Sequence, residues 1–357
     1  MNVTVPPLPG NVTLVQQQIP NLSYPYDSFL SQAASPPPNA NGFEWHKPDV
    51  YSNQWNLSVA DQFAPSMSFQ IAYVGNHGVN LQREEGINYF HPTIGARPNP
   101  TFSNITLQTN SGFSSYNGLQ LSFIRRGGNS GFKFQASYTF SHAIDDVDDP
   151  AVSASDPQNL NNINAERSNG SGDVRQNLTF NLLYDVPVGG GHRFLSSSFS
   201  SRLVSGWRVS TLGIWRTGVA DTVYIGTNTF GNGDFINQRP DCMAGANPYS
   251  NPQTITSWLN PAAFSMPIAG TFGNCGRNTI DGPSFRNVDF STLKEARLGE
   301  TRLEFRAEFF NIFNHPAFAQ PDTTFGTPSF GEIFNTLGRT LGAGTSRQIQ
   351  FALRFRF

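Results

Sequence analysis

The chain has 357 residues, of which 13% are charged and another 13% aromatic, with 31 Phe, 33 Gly and 25 Pro and a formal net charge of −2. Without a basic run there is no electrostatic case for nucleic acid, and no apolar stretch approaches the ~18 residues of a membrane-spanning helix. Many short strands joined by turns suit this composition, and a mean hydropathy of −0.35 is compatible with a membrane barrel, whose apolar face is made by alternate residues.

Residues 1 to about 50 are rich in Pro, Asn and Ser and show no sustained period, so they read as an irregular external loop or N-terminal extension. Met1 to Gly10 lack both the basic start and the apolar core of a signal peptide. An exported chain with this start is expected to be the C-terminal portion of a longer precursor or the product of a truncated gene start.

Residues 51–357 carry the strand pattern. From Gln54, Trp55, Leu57 and Val59 share one face; after a break at Phe63-Ala-Pro65 the alternation resumes with Met67, Phe69, Ile71 and Tyr73. A polar stretch runs to Ser115. Leu119, Leu121 and Phe123 follow, then the turn Arg126 to Gly131, then Phe132, Phe134, Ala136, Tyr138 and Phe140. A second polar stretch, 143–173, precedes Leu178, Phe180, Leu182, Tyr184 and Val186. Past Gly189 to Gly191 come Trp207, Val209, Thr211, Gly213 and Trp215, and the longest gap then runs to about Pro283. The last three strands are expected near 286–297, 302–313 and 347–357.

Connections alternate short and long along the chain. An up-and-down meander in a bacterial outer membrane has that asymmetry, with short periplasmic turns and long external loops, and about nine strands fit one register. A Greek-key sandwich has no reason to produce it. In the last strand Ile349, Phe351, Leu353, Phe355 and Phe357 fall on one face, while Gln348, Gln350, Ala352, Arg354 and Arg356 fall on the other. Arg302, Glu304, Arg306 and Glu308 likewise form one row, which suits a wet lumen and not lipid. The expected fold is therefore all-β: the C-terminal strands of a larger transmembrane antiparallel up-and-down barrel, in contact with outer-membrane lipid. The competing reading is a soluble β-rich binding or adhesion module, in which the last strand is a sheet edge.

Several segments together carry a family resemblance: Gln54-Trp-Asn-Leu-Ser58, Ala72-Tyr-Val-Gly-Asn76, Tyr116-Asn-Gly-Leu-Gln120, Ala136 to His142, Phe272 to Asn278, Phe305 to Pro316 and the terminal strand. In order and spacing, from about Gln54 to Phe357, they resemble the C-terminal part of an Oar-like TonB-dependent receptor, the group with an N-terminal carboxypeptidase-regulatory-like domain. The resemblance implies a plugged 22-stranded barrel that takes up a ligand with energy from the TonB complex, engaged through an N-terminal part missing here. A passive porin or surface adhesin barrel is the alternative within the membrane. Phe351, Leu353, Phe355 and Phe357 resemble the C-terminal signal recognised by the barrel-assembly machinery.

Candidate chemistry is sparse. Cys242 and Cys275 fall in one long gap, and an even count in an exported chain favours a disulfide. Asp145, Asp146, Asp148 and Asp149 could ligate Ca²⁺, but without the Gly and distal Glu of an EF-hand loop a solvated acidic loop is the better reading. No pair or triad of catalytic type occurs among the six His, so neither an enzyme nor a cofactor is expected. Ligand contact is expected on the long stretches 76–115 and 218–284, with Phe230, Phe235, Trp258 and Phe264 as candidates; these aromatics could equally pack the loops together.

Overall fold

The computed structural model describes residues 37–92, 95–127, 131–147, 157–188, 205–233, 237–298, 300–337 and 346–357. Expectations for residues 1–36, Asp148, Asp149, Gly189 to Gly191 and Phe235 lie outside them. The described chain opens with β1 (Ala40–Phe43), β2 (Tyr51–Ala64), β3 (Met67–Gly86), β4 (Ile105–Arg125) and β5 (Phe132–Asp145). A short 3-10 turn, Leu160–Glu166, leads to β6 (Ser168–Asn169), β7 (Gln176–Asp185) and β8 (Trp207–Arg216). Small strands follow: β9 (Ala220–Asp221), β10 (Asp241–Cys242), β11 (Tyr249–Thr254), β12 (Ser257–Leu259), β13 (Phe264–Ser265) and β14 (Ile280–Asp281). The chain closes with β15 (Phe285–Leu298), β16 (Thr301–Phe310) and β17 (Gln348–Arg356).

One 11-stranded sheet dominates, its continuous path running β17-β16-β15-β8-β7-β5-β4-β3-β2. All neighbours on this path are antiparallel, and they follow the chain as a meander. Register makes the two faces continuous. Leu57 pairs Tyr73, Tyr73 pairs Leu119, Leu119 pairs Phe140, Phe134 pairs Leu182, and Phe305 pairs Leu353, so the apolar positions of every strand share one side. No second layer covers that side among the described residues. Leu57, Val59, Phe351 and Leu353 are 71%, 62%, 66% and 59% exposed. A water-soluble sheet with such a face would hide it; this one shows it.

The opposite face is polar, and the expected charge row lies there. Arg306 bridges Glu304 at 3.2 Å and Glu308 at 3.7 Å, while Arg356 on β17 reaches Glu304 at 3.6 Å. Trp207 and Trp215 stand at opposite ends of β8 on the apolar side, the positions of two aromatic girdles.

Three expectations need correction. The stretch 76–115 is not one long loop: β3 runs on to Gly86 and β4 begins at Ile105, leaving a connection of 87–104. Ladder hydrogen bonds need no apolar side chains, so the hairpin continues where neither face meets an apolar surface and the alternating signal fades. At roughly 3.3 Å per residue these strands far exceed the ~25 Å apolar band of a membrane barrel. Secondly, the opening segment is not wholly irregular, because β1 adds in parallel to the far end of β4. Thirdly, 218–284 is a folded unit and not a plain loop. Val223, Leu259, Ala263, Phe264, Cys275, Ile280 and Phe330 form its buried core.

Candidate functional site

The long connections gather at one end of the sheet and interlock into a cap. Two small pairings, β9 with β14 and β10 with β13, fold the 217–284 segment back on itself. Phe330 comes from the later 311–347 connection and meets Phe264 edge-on, ring centroids 5.6 Å apart. Cys242 and Cys275 are joined as a disulfide, Cα atoms 5.0 Å apart. Gly273 makes room beside that bridge. A Cβ there would lie 2.0 Å from the Arg239 carbonyl oxygen, so only glycine allows the two segments to approach.

Buried ion pairs tie the cap to the wall. Arg239 grips Glu166 in a fork, Nη1 to Oε2 at 2.7 Å and Nη2 to Oε1 at 2.9 Å, with both side chains under 5% exposed. Its Nε donates to the Cys275 carbonyl at 2.9 Å, and Gln158 accepts from the Arg239 N–H at 2.7 Å. Arg277 pairs with Asp145 at the end of β5. Arg83, fully buried near the far end of β3, pairs with Asp146 at 2.8 Å. The two-point fork of Arg239 on Glu166 holds a geometry, and removing one member of a buried pair leaves an uncompensated charge. A backbone link also joins the cap to the β3–β4 hairpin, where the Phe90 N–H donates to the Asn232 carbonyl at 2.9 Å.

This arrangement gives the sequence candidates their places. Asp145 and Asp146 are spent on Arg277 and Arg83, and the Asp146 carboxylate also accepts from the Phe113 N–H at 2.7 Å. No cluster of three metal-ligating side chains occurs among the described residues. Phe264 is buried at 5% exposure, and Trp258 is half-buried against the same core. Phe230 stacks on Phe272 with centroids 4.0 Å apart. All three pack the cap, which leaves their surfaces largely used. Burial also lifts the Asp281 carboxyl above its usual range, with the Asp173 charge adding to the effect and Arg175 opposing it.

Glu166, Gln158, Arg83 and Arg277 were not read as functional from sequence. Their partners lie 63 to 132 residues away for Arg83 and Arg277, a separation no local pattern reveals. The available hint was scarcity, since a buried loop charge in a chain so poor in charge has to be paired. The segment from Asn311 to Pro316 proves to be a turn. Asn311 sits at φ 50°, donates from Nδ2 to the His315 carbonyl at 2.8 Å and accepts from the His315 N–H at 3.0 Å.

A single-layer antiparallel meander, apolar on one exposed face, polar on the other and capped at one end by folded connections, is a transmembrane β-barrel wall. The profile of the outer membrane beta barrel domain matches residues 2–350, and the chain belongs to that family. It is a protein of the bacterial outer membrane and not an enzyme; its apolar face meets lipid and its polar face the lumen. No curated protein matches the sequence significantly. Solved structures with a similar fold include the FrpB iron transporter of Neisseria meningitidis, at 12% identity and TM-score 0.39, covering 88% of this chain and 33% of that one. The outer membrane transporter YddB of Escherichia coli is 10% identical with TM-score 0.43, covering 86% and 32%. BauA, the ferric preacinetobactin receptor of Acinetobacter baumannii, is 10% identical with TM-score 0.40, covering 86% and 29%. The chain spans about a third of the length of these proteins.

Proposed function

We propose that the chain forms the last strands and the outer cap of an Oar-like TonB-dependent receptor, which takes up a ligand through a plugged barrel. The observation that carries this reading is the pair of open edges. β2 and β17 end the path of the sheet, and among the described residues neither has a strand beyond it. Unpaired backbone groups are not sustained in hydrocarbon, so further strands of one larger ring close this wall. The segments from Gln54 to Ser58, Tyr116 to Gln120 and Phe305 to Pro316 support the receptor group by resemblance.

In this reading the TonB complex engages the N-terminal part of the receptor, and the barrel-assembly machinery reads Phe351, Leu353, Phe355 and Phe357 on β17. Deleting Phe357 lowers the yield of heat-modifiable barrel in membranes. The receptor itself is tested in two ways with the complete protein. A plugged barrel passes no steady current in a planar bilayer, and its N-terminal part cross-links to TonB in cells. A steady open conductance without cross-linking makes the protein a porin; neither current nor cross-linking makes it an adhesin barrel.

A further inference from the structure

Gln120, Thr139, Asn177 and Arg216 are register partners in succession across β4, β5, β7 and β8, all on the lumen face. At about 4.8 Å per strand this row spans roughly 14 Å. Tyr116 rises at one end, where the absence of a side chain at Gly118 lets its ring lie along the wall; a Cβ there would meet the hydroxyl at 2.8 Å. The segment from Gly172 to Val174 closes over the row and leaves a cavity of about 330 Å³, at the small end of the range of about 300–1,000 Å³ for small-molecule sites.

The polar groups lining this cavity are unevenly satisfied. Asp173 is neutralised: it accepts from the Ala143 N–H at 2.7 Å and faces Arg175 at 3.2 Å and His142 at 3.3 Å. Arg216 has no carboxylate partner among the described residues and is held by the Phe285 ring, 5.6 Å from its centroid. The Oδ1 of Asn177 is buried without a hydrogen-bond donor. A buried acceptor left unpaired is unfavourable, a deficit that a ligand hydroxyl removes.

We infer that this cavity binds a small hydroxy acid of sugar-acid type, its carboxylate on Arg216 and a hydroxyl donating to Asn177, with Gln120 and Tyr116 meeting the remaining hydroxyls. The inference rests on the receptor reading for its purpose, but not for its test. Binding of D-glucuronate and of D-glucose to the complete protein in detergent is measured by calorimetry, with no TonB present. Glucuronate binds more tightly than glucose, and Arg216→Gln weakens glucuronate roughly ten- to a hundredfold, the usual loss for a hydrogen bond to a charged group. Arg216→Lys, which keeps the charge, weakens it less, and Asn177→Ala weakens both sugars alike. Heat-modifiable mobility identifies which variants are folded. Equal affinity for the two sugars in the unmodified protein, or unchanged glucuronate affinity in folded Arg216→Gln, overturns the assignment and leaves the receptor reading intact. A preserved glucuronate preference in a barrel that fails to engage TonB does the reverse.

Discussion

On β17, Phe351 is 66% exposed and Phe355 53%; in the cap, Val223 and Leu259 are completely buried. One chain therefore carries two opposite solutions to the same problem. The wall presents its apolar residues outward because lipid accepts them, and its stability comes from backbone ladders whose donors and acceptors have no competing water in the membrane. The cap stands in water and folds as a small soluble domain does, with an aromatic core, a disulfide and buried ion pairs. Polar residues inherit the reverse logic. In the wall the charges of β16 line a wet face as exposed or half-exposed pairs, worth up to about 1 kcal/mol each. In the cap Arg239 and Glu166 are sealed, and the loss of either is expensive.

The largest effect expected from this contrast is Glu166→Ala. It strands Arg239 in the interior at a cost of about 3–5 kcal/mol. Protease sensitivity and hydrogen exchange should rise throughout the cap while the heat-modifiable barrel remains. Replacing both partners, Glu166→Leu with Arg239→Met, is expected to recover much of that loss. Next is the double substitution Cys242→Ser with Cys275→Ser. The bridge spans 33 residues of sequence, for which loop-closure entropy suggests about 3–4 kcal/mol. The cap alone should again respond, and reduction of the unmodified protein should reproduce the result.

The wall breaks under different substitutions. Leu353→Arg places a charge in lipid and costs about 2–4 kcal/mol near mid-depth, whereas Gln350→Arg, on the lumen face opposite Glu308, should be close to neutral. Comparing refolding yields into liposomes checks both, and equal effects would remove the distinction between the faces. The smallest effect expected is Asp281→Asn. Burial raises this carboxyl's folded-state pKa above its unfolded value, so its contribution to cap stability is complete below the unfolded pKa and is lost as pH rises through the folded one. The Asn variant should show a flatter pH dependence of cap proteolysis and slightly greater resistance near neutrality.

Legibility followed the same division. The nine strands of the wall could be placed because one face must match lipid, which imposes a period of two on Leu119, Leu121 and Phe123 or on Phe351, Leu353 and Phe355. That signal ended where the membrane ends. β3 beyond Gly75 and β4 before Asn117 carry polar residues on both sides, so the extended hairpin read as loop. The cap was the least legible part. Its small strands pair across 22 to 61 residues, and its core draws Phe330 from a separate connection. Of the aromatics expected to meet ligand or to pack the loops together, Phe264 lies in the cap's core and Trp258 packs against it, surroundings that composition alone does not distinguish from a binding surface. The lumen row from Gln120 to Arg216 escaped notice because its members are adjacent only through strand pairing.

The wall faces lipid with one side and water with the other, and labelling along β17 distinguishes the two sides residue by residue. Single cysteines are placed in turn at positions 348 to 356, spin-labelled in the complete protein with its native disulfide intact, and reconstituted into liposomes. Accessibility to oxygen, which partitions into lipid, is compared with accessibility to a water-soluble nickel chelate. Oxygen accessibility should peak at 349, 351, 353 and 355, and the chelate should reach 348, 350, 352 and 354, in opposite phase along the strand. Chelate access at every position, or no alternation between the two reagents, would contradict a membrane-spanning wall.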